Sequence, residues 1–411
     1  MNLWPNAFDI LKERGFVEQV SDEERLRQIL NEKTITCYVG YDATATSLHV
    51  GNLLSIMMLG HLQRAGHRPI ALLGGGTTMI GDPSGKTELR KMLTREQIVA
   101  NGRKIQQQFG RVLDFGPGKA MMVDNAEWLL DLNYIEFLRE IGRHFSVNRM
   151  LAAEAYKQRL ETGLSFLEFN YQILQAYDFL MLNRKHGCVL QMGGNDQWGN
   201  ILAGVELIRR VENKEAFALT APLLTTSDGK KMGKTAAGAI WLDAEMLSPY
   251  DFYQYWINVD DRDVVRLLQL YTFLPMAEIT RFKQVQGAEL REVKALLAFE
   301  VTKLIHGEEQ TQKAQNAAQA LFGEAGDDAN IPKVTLKAAM FENGLGVIDL
   351  FHAAGIVESK SEARRLIQQG GAYINRRRIE TIDERVNMAD LDKGELLIRA
   401  GKKRYQKVVV E

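Results

Sequence analysis

The stretch ITCYVGYDATATSLHVGNLLSIMMLGHLQRAGHRPIALLGGG, residues 35–76, decides the fold of this 411-residue chain. It contains two short apolar segments, Ile35–Gly40 and Arg68–Gly76, that are typical of buried strands. Between them, Ser47–Gly66 has the composition of a helix and ends in glycine, a common helix terminator. The order strand, helix, strand predicts a parallel β-α-β unit, in which ligands bind at the carboxyl ends of the strands.

The rest of the chain divides into a mixed region, a helical region and a small tail. We predict helices at about 94–112, 133–144, 147–160, from 165 onward and at 196–211, and a strand at 188–194. The segment TREQ and the pair Ser165 and Glu168 match capping boxes, which mark helix starts. Residues 248–323 are helical and poor in strands, 323–333 is a Gly/Asp-rich candidate linker, and a small α+β segment follows from about 345.

The composition is that of an ordinary globular protein, with 45% hydrophobic and 25% charged residues and a net charge of −1. This balance gives no global attraction to nucleic acid or membrane, so such a partner would need a local patch. Only two cysteines, Cys37 and Cys188, are present, which indicates a reducing cytosol and argues against a disulfide framework. We find no metal-ligand cluster, signal peptide or bilayer span in the sequence, and therefore expect a cytoplasmic protein.

The segment IGDPSGKT, Ile80–Thr87, ends like a phosphate-binding P-loop but lacks its spacing. A P-loop ending at Gly85 would require a glycine at position 80, where Ile80 stands. Asp82 would also bring a carboxylate near the anion that the backbone amides of such a loop surround. We therefore reject the P-loop and expect Asp82 to face a cation, such as a substrate ammonium group.

Two further segments are suited to phosphate groups. In DATATSLHVGN, His49 and Gly51 fall at a helix start, where backbone N–H groups and the helix dipole favour an anion. In TSDGKKMGKTAAG, Lys231 and Lys234 lie among glycines, and paired ammonium groups suit a polyphosphate. Taken singly, each segment also fits a simpler interpretation, namely a capped helix with a surface histidine and a solvated basic loop.

Polar side chains also mark one helix and one turn. Tyr171, Gln175 and Asp178 have the spacing i, i+4, i+7, which brings them to one face of an otherwise apolar helix and suggests a pocket wall. In LQMGGNDQWGN a strand and two glycines precede Asp196 and Gln197, which could bind ribose or a carbonyl. The alternatives are the solvent face of an amphipathic helix and an ordinary strand-to-helix turn.

Together these segments are specific. DATATSLHVGN, GDPSGKT, NYQILQAYDF, QMGGNDQWGN and KMGKT occur in the order and approximate spacing of bacterial tyrosyl-tRNA synthetases, which are class I aminoacyl-tRNA synthetases. The chain resembles this family from about Thr36 to its C-terminus. HVGN looks like the family's His-Ile-Gly-His signature, and KMGKT looks like its Lys-Met-Ser-Lys-Ser loop. The tail VIDLFHAAGIVESKSEARRLIQQGGAYINRRRI is similar to the RNA-binding domain first named for ribosomal protein S-four.

The resemblance implies an α/β architecture. A Rossmann-like, parallel-sheet nucleotide-binding catalytic domain would occupy residues 1–247, and its helical insertion at about 127–160 would form the homodimer contact that the family uses. An α-helical anticodon-side domain would follow at 248–325. A linker at 326–344 would then lead to a small α+β RNA-binding domain at 345–411, which holds 13 Lys and Arg against 10 Asp and Glu.

The resemblance also implies the reaction and its partners. The family activates L-tyrosine with ATP, which gives tyrosyl-adenylate and pyrophosphate, and then transfers tyrosine to the 3'-terminal ribose of tyrosine tRNA. Mg²⁺ would arrive with ATP, so neither a dedicated protein metal site nor a tightly bound organic cofactor is expected. No membrane partner is expected.

Residue roles follow from the same resemblance. Tyr38 and Asp178 would bind the phenol hydroxyl, and Tyr171, Gln175 and Asp82 would bind the ammonium group. The predicted catalytic set is Thr44, His49, Lys86, Arg90, Lys231, Lys234 and Thr235. The predicted ATP and adenylate set is Gly40, Asp42, His49, Gly51, Asn52, Gly194, Asp196, Gln197 and Lys234. The predicted RNA-binding set is Lys360, Arg364, Arg365, Arg376, Arg377, Arg378, Lys402, Lys403 and Arg404.

Three positions depart from the family pattern, and three other functions remain open. Asn52 stands where the signature has its second histidine, and Gly233 and Thr235 replace the two serines of the loop. The alternatives are a tryptophanyl-tRNA synthetase, a small-molecule nucleotidyltransferase, and a non-catalytic RNA-binding protein with a degenerate synthetase core. The pair Tyr38 and Asp178 argues against the first, because a phenol-binding pair does not suit indole.

Overall fold

The computed structural model of the chain consists of two compact units, Met1–Glu308 and Glu309–Glu411. The residues that it describes are 6–84, 93–152, 156, 160–161, 163–229, 232–235, 238–322, 331–342, 344–375, 377–392, 394–401 and 404–410.

A mostly parallel sheet forms the centre of the first unit. Its strands, among the described residues, are β1 Gln19–Val20, β2 Thr36–Tyr41, β3 Arg68–Leu73, β4 Met121–Asp124, β5 Cys188–Gly194 and β6 Phe217–Ala221. Their order is β1-β6-β5-β2-β3-β4, and only β1 runs antiparallel to its neighbour. Since β2 has neighbours on both sides, it is a central strand. The ligand site predicted at the carboxyl ends of the two strands in residues 35–76 therefore lies at the middle of the sheet. A small hairpin, β7 Lys234–Thr235 and β8 Gly238–Ala239, follows the sheet in sequence.

Helices surround this sheet and continue into a helical module. In chain order they are α1 Ala7–Glu13, α2 Glu23–Glu32, α3 Val50–Arg64, α4 Arg95–Phe109, α5 Ala126–Leu129, α6 Tyr134–Glu140, α7 Val147–Leu151, α8 Phe166–His186, α9 Trp198–Glu212, α10 Pro249–Ile257, α11 Val264–Tyr271, α12 Met276–Arg281 and α13 Ala288–His306. Both predicted capping boxes are present, at Thr94 with Gln97 and at Ser165 with Glu168. The predicted strand 188–194 is confirmed as β5.

Several predicted boundaries were too wide, and the physical reason is local. The helix predicted from Ser47 begins at Val50, because His49 has an extended backbone and is the N-cap. The strand predicted to reach Gly76 ends at Leu73, where the glycines turn away from the sheet. The helix predicted at 133–144 ends at Glu140 and is followed by a short 3₁₀ turn. The helix predicted at 147–160 is described as α7, and residues 153–155 and 157–159 lie outside the described part.

The helical module of α10 to α13 is tied directly to the sheet region. Arg14 is buried and donates from Nη1 to the carbonyls of Gln269 and Thr272, both at 2.9 Å, which satisfies backbone acceptors at the end of α11. The hydroxyl of Tyr271 donates to the Val50 carbonyl at 3.0 Å, at the start of α3. Since α3 starts beside the strand ends, the module helps to fix the residues that surround the central cavity.

The second unit holds helix α14 Glu308–Phe322, which begins at the boundary, and a sheet with two helices. Its remaining elements are β9 Lys333–Leu336, β10 Leu345–Gly346, α15 Val347–Ala353, α16 Lys360–Gln368, β11 Ala372–Ile374, β12 Arg377–Arg378, β13 Arg385–Val386, β14 Glu395–Ala400 and β15 Arg404–Val410. The larger sheet has the order β12-β11-β14-β15-β9. Alternate residues of β14, Leu396, Ile398 and Ala400, share one core with α15 and α16, so the helices cover one face of this sheet.

Candidate active site

A cavity of about 480 Å³ opens at the carboxyl ends of the central strands. It brings together predicted residues from four separate segments, namely Tyr38, Gly40, Asp42, Thr44, His49, Gly51, Asn52, Asp82, Tyr171, Gln175, Asp178, Gly194, Asp196 and Gln197. Of the remaining predicted residues, Lys86, Arg90 and Lys231 lie outside the described residues, and Lys234 and Thr235 form strand β7. The motifs that resembled one family in sequence therefore converge on one site.

The floor of the cavity is a buried acid beside a buried phenol. Asp178 on α8 is only 2% exposed, and its two oxygens accept hydrogen bonds from Asn125 Nδ2 at 2.9 Å and from Trp128 Nε1 at 2.8 Å. The Tyr38 ring on β2 packs against Phe179 at a centroid distance of 5.3 Å. The Tyr38 hydroxyl is buried and makes no hydrogen bond to any described residue.

Burial controls the charge of this acid. It raises the pKa of Asp178 to about 7, the donors Asn125 and Trp128 oppose that rise, and the nearby carboxylates of Asp42 and Asp124 add to it. Burial and the charge of Asp178 also raise the pKa of Tyr38 well above its usual value, so Tyr38 remains a neutral hydroxyl. The site thus holds a carboxyl group that becomes an ionised acceptor near neutral pH.

A chain of hydrogen bonds connects Asp178 to the wall of the cavity. Asn125 Nδ2 also donates to Thr77 Oγ1 at 3.0 Å, and Thr77 in turn donates to Asp42 Oδ1 at 2.9 Å. The Tyr171 hydroxyl donates to Asp42 Oδ2 at 3.2 Å. A Cβ atom at Gly74 would lie 2.4 Å from Asp42 Oδ1, so glycine is required for this close approach. The network fixes the orientation of the Tyr171 hydroxyl, whose oxygen can still accept a hydrogen bond.

A second network surrounds Asp82, the residue that the sequence analysis assigned to a cation. Asp82 is buried and accepts from the Ser84 backbone N–H at 2.8 Å and from Gln197 Nε2 at 2.7 Å. Gln175 Nε2 donates to Gln197 Oε1 at 3.2 Å, and Asn200 donates to Gln175 Oε1, also at 3.2 Å. Gln197 therefore directs an N–H group to Asp82, while the side-chain oxygens of Gln175 and Gln197 accept from neighbouring amides.

The start of helix α3 explains two of the unusual signature positions. The His49 backbone N–H donates to Asn52 Oδ1 at 3.1 Å, so Asn52 acts as a capping residue in place of the family's second histidine. A Cβ atom at Gly51 would lie 2.8 Å from His49 Cε1, so glycine leaves room for the imidazole. Gly233 has φ +84° and would bring a Cβ atom within 3.3 Å of the Gly51 backbone nitrogen. Gly233 thus lies against the helix start.

The stem of the KMGKT loop is held by the helical module. Asp263, which is 4% exposed, accepts from the Ser227 backbone N–H at 2.9 Å and pairs with Arg266 at 3.0 Å. Arg266 also donates to the Thr225 carbonyl. These contacts hold the residues that lead into the loop against the start of α11. They were not predicted from the sequence.

The side of the cavity near the end of β2 is open and rich in glycine. Gly40 is exposed within β2 and Thr44 is exposed after it, and the Thr44 backbone N–H donates to the Asp42 carbonyl at 2.9 Å. A Cβ atom at Gly194 would lie 2.7 Å from Asp196 Oδ1, so the acid folds back over the end of β5. This arrangement leaves backbone surface accessible for a ribose or a phosphate.

The predicted RNA-binding residues differ in their availability. Lys360 pairs with Asp349 at 2.7 Å, Arg377 with Glu384 at 2.8 Å, and Arg404 with Glu362 at 2.9 Å. Arg364, Arg365 and Arg378 are exposed and form no ion pair with another described residue. Arg376, Lys402 and Lys403 lie outside the described residues. The structure therefore leaves three of the described cations available to a polyanion.

Sequence reasoning missed Asn125, Trp128, Thr77 and Asn200, which hold the predicted residues in position. Asn125 and Trp128 lie in DNAEW, directly after β4, and polar residues at that strand end were the available signal. Among the described residues, no group of three or more His, Cys, Asp or Glu side chains is arranged to hold a metal ion. None of the helices in these residues is long and apolar enough to cross a membrane.

The fold and the cavity define the class of the protein. Residues 30–323 match the family of class I tRNA synthetases for tryptophan and tyrosine (W and Y), which covers well over half of the chain. Residues 325–408 match the C-terminal domain of the SYY-like tyrosine--tRNA ligases. Both matches agree with the predicted α/β fold class and with the order of its parts.

Individual relatives narrow the class further. The chain is 55% identical to a tyrosine--tRNA ligase of Clostridium tetani over 99% of both chains, and 54% identical to one of Acetivibrio thermocellus over 98% of this chain and 99% of that one. A C-terminally truncated mitochondrial tyrosyl-tRNA synthetase of Aspergillus nidulans is 31% identical, with a TM-score of 0.70, and covers 78% of this chain and 95% of that chain. The chain belongs to the tyrosine--tRNA ligase family, which confirms the predicted family, reaction class and fold class.

Proposed function

We propose that this chain activates L-tyrosine with MgATP to form tyrosyl-adenylate and pyrophosphate, and then transfers tyrosine to the terminal ribose of tyrosine tRNA. In the first step the tyrosine carboxylate attacks the α-phosphorus of ATP, and the bond from that phosphorus to the pyrophosphate oxygen breaks. In the second step the ribose hydroxyl attacks the activated carbonyl carbon, and AMP leaves. The nucleophiles belong to the substrates, so the protein contributes orientation and electrostatic stabilisation.

The buried pair at the cavity floor carries this proposal. A phenol hydroxyl placed between Asp178 and Tyr38 would donate to the carboxylate and accept from the Tyr38 hydroxyl, which has no other described partner. Asn125 and Trp128 each occupy one position on the Asp178 oxygens, and a carboxylate retains capacity for a further donor. Phenylalanine would leave both groups unsatisfied, whereas indole offers a donor in another position and no acceptor.

The ammonium group of the substrate would bind at the second network. It has three N–H donors, and one oxygen each of Tyr171, Gln175 and Asp82 would accept them. Tyr171 donates its own proton to Asp42, and Gln175 donates its N–H to Gln197, so each would meet the ammonium group through its oxygen. Asp82 supplies the charge that a cation requires, which is the role inferred from IGDPSGKT.

The triphosphate would lie over the start of α3 and beneath the KMGKT loop. Thr44 and His49 would contact the phosphates, and Lys231, Lys234 and Thr235 would close over the leaving pyrophosphate. We place Lys86 and Arg90 on the same leaving group, by the motif that they belong to. Gly40, Gly51 and Gly194 allow backbone approach, while Asp42, Asp196 and Gln197 would hold the ribose and the reacting carboxylate. Magnesium enters as part of MgATP.

Amino-acid-dependent exchange of pyrophosphate into ATP tests the activation step. We expect exchange with tyrosine and none above background with tryptophan, phenylalanine or no amino acid. Tyr38→Phe is the matched variant, since it removes one hydroxyl and keeps the ring packed on Phe179. It should raise the KM for tyrosine more than it lowers kcat, because the lost hydrogen bond forms in the ground state as well. Exchange driven by tryptophan would refute the assignment of the pocket.

The insertion near residues 127–160 is our proposed homodimer contact. Large apolar side chains are exposed along it and just beyond it, including Ile135 at 69% and Phe166 at 70%. Exposed apolar surface of this kind is typical of protein interfaces. Sedimentation should give twice the monomer mass, and Ile135→Glu should shift the molecule toward the monomer. A monomer in the unsubstituted protein would contradict this proposal.

We also propose that the tail binds tyrosine tRNA and that the protein works in the cytoplasm. The exposed cations Arg364, Arg365 and Arg378 support the first point, since phosphate contacts supply most of the affinity for nucleic acid. The two free, buried cysteines support the second. A chain shortened to end at residue 322 should keep tyrosine-dependent exchange and lose most tRNA charging.

A further inference from the structure

By strand register, four residues lie side by side on the face of the C-terminal sheet that α15 and α16 do not cover, and the guanidinium of the outermost, Arg378, lies against the Gly370 backbone. Tyr373 of β11 lies opposite Arg378 on one side and opposite Arg399 of β14 on the other, and Arg399 lies opposite Tyr405 of β15. Their neighbours along the strands, such as Ala372 and Ile398, point into the core. We call Arg378, Tyr373, Arg399 and Tyr405 the Tyr–Arg row.

Three members of the row, Tyr373, Arg399 and Tyr405, are in contact. The Arg399 guanidinium carbon lies 3.6 Å from the centroid of the Tyr373 ring and 5.8 Å from that of Tyr405. Arg399 Nη1 donates to the Tyr405 hydroxyl at 3.4 Å, whereas Arg399 Nε has no hydrogen-bond partner among the described residues. The stack holds a planar cation in a fixed orientation between two aromatic rings.

The other half of the same face is neutralised. Glu395 of β14 accepts from Lys333 at 2.7 Å and from Lys407 at 2.9 Å, so both lysines are paired. In contrast, neither Arg378 nor Arg399 forms an ion pair with a described residue. Positive charge that is available for a ligand is therefore concentrated on the Tyr–Arg row.

We propose that the Tyr–Arg row binds an unpaired nucleotide of the tRNA, and this inference depends on the proposed function of the tail. The base would stack on the plane formed by Arg399 and the tyrosine rings, and Arg378 at the end of the row would meet a phosphate. Aromatic rings and guanidinium planes are the groups on which proteins stack splayed RNA bases. Positive charge beside aromatic rings is the combination that single-stranded nucleic acid selects.

This site is separate from the helix-borne cations Arg364 and Arg365. Those residues lie on α16, which packs on the opposite face of the sheet, and they offer charge without an aromatic partner. A phosphate backbone along α16 and a base on the Tyr–Arg row would hold the RNA from two faces of the unit. The row adds stacking, which is sensitive to planar shape, to contacts that depend on charge alone.

Binding of full-length protein to a tyrosine tRNA transcript tests the proposal, with fluorescence anisotropy at fixed salt as the readout. Tyr373→Ala should weaken binding about 5- to 100-fold, the range for loss of one base stack. Arg399→Lys keeps the charge but loses the planar face, and should also weaken binding. Tyr373→Phe is the matched control, since it keeps the ring and should bind as the unsubstituted chain does. Tyrosine-dependent exchange should be unchanged in all three.

The outcomes separate this inference from the proposed function. If Tyr373→Ala and Arg399→Lys bind normally while Arg364→Gln binds weakly, the tail still binds tRNA and the Tyr–Arg row is refuted. If all of these variants and the shortened chain bind tRNA with full affinity, the proposal that the tail binds tRNA is refuted as well. If Tyr373→Ala lowers the melting temperature of the tail, the test is the tRNA affinity of Arg399→Lys compared with that of Tyr373→Phe. Weaker binding by Arg399→Lys alone supports the proposal, and equal binding by the two variants refutes it.

Discussion

Replacing the buried acid by its neutral isostere, Asp178→Asn, should change how the stability of the protein depends on pH. The folded pKa of Asp178 is about 7, against 3.8 for the unperturbed carboxyl, because burial disfavours the charged form. Between these values the folded state holds a proton that the unfolded state has released. The free energy of unfolding therefore falls as pH rises through this window, by a total of about 4 kcal/mol at 1.36 kcal/mol per pKa unit.

The assay is urea unfolding of the protein and of Asp178→Asn at pH values from 5 to 8. Over this interval the linkage relation gives about 2.5 kcal/mol of stability that the wild-type chain loses and the variant keeps. Asparagine presents one N–H to donors that expect an acceptor, so the variant also carries a constant penalty of about 1–3 kcal/mol. That penalty does not change with pH. The quantity to compare is therefore the slope, against pH, of the difference in unfolding free energy between the wild-type chain and the variant.

Tyr38→Phe is the control, since it alters the same part of the cavity and its hydroxyl does not titrate between pH 5 and 8. Its stability difference from wild type should stay nearly constant over the series. A flat difference for Asp178→Asn would refute the idea that a buried carboxyl with a raised pKa forms the floor of the pocket. Tyrosine affinity provides a second readout. If the ionised acid accepts the phenol proton, binding should be about tenfold weaker at pH 6 than at pH 8.

Three further predictions concern the phosphate side of the cavity. Lys234→Ala should slow adenylate formation by about 3 kcal/mol, the effect of one lost transition-state donor, and equilibrium dialysis should show nearly unchanged tyrosine binding. Gly51→Ala should leave the melting temperature equal or higher, since alanine favours helix, yet reduce exchange roughly tenfold to a hundredfold, because its Cβ displaces the His49 imidazole. Asp263→Asn should lower kcat for activation more than tyrosine affinity, because its single oxygen cannot accept from both Ser227 and Arg266 in the loop stem. Normal activity in rapid-quench measurements would refute the last assignment.

Much of the candidate site could be predicted from sequence because its residues lie at strand ends and on one helix face. Tyr171, Gln175 and Asp178 needed only the helical period to be placed together, and they do line one cavity. Asp82 was assigned to a cation from charge alone. The family resemblance then predicted that segments more than a hundred residues apart share one site. The local sequence pattern of each segment cannot predict this.

The supporting residues could not be predicted in this way, because their roles depend on tertiary contacts. Asn125 hydrogen-bonds Asp178, and Asn200 hydrogen-bonds Gln175, across 53 and 25 residues of sequence. Neither residue lies in a segment with a distinctive period. The predicted start of helix α3 was wrong for a related reason. His49 has an extended backbone and donates its backbone N–H to Asn52, so it lies outside the helix as its N-cap.

The balance of charge at the cavity floor links recognition to stability. Asp178 lies near the carboxylates of Asp42 and Asp124, so the empty site concentrates negative charge at one edge of the sheet. Tyrosine would bring an ammonium group and a phenol proton into this field and relieve part of the repulsion. Any ligand that binds only the folded state stabilises it by about 2.7 kcal/mol at a hundred times its Kd. Phenylalanine lacks the phenol proton, so it would leave Asp178 without a new donor. The acid that lowers the stability of the free protein would therefore also discriminate between tyrosine and phenylalanine.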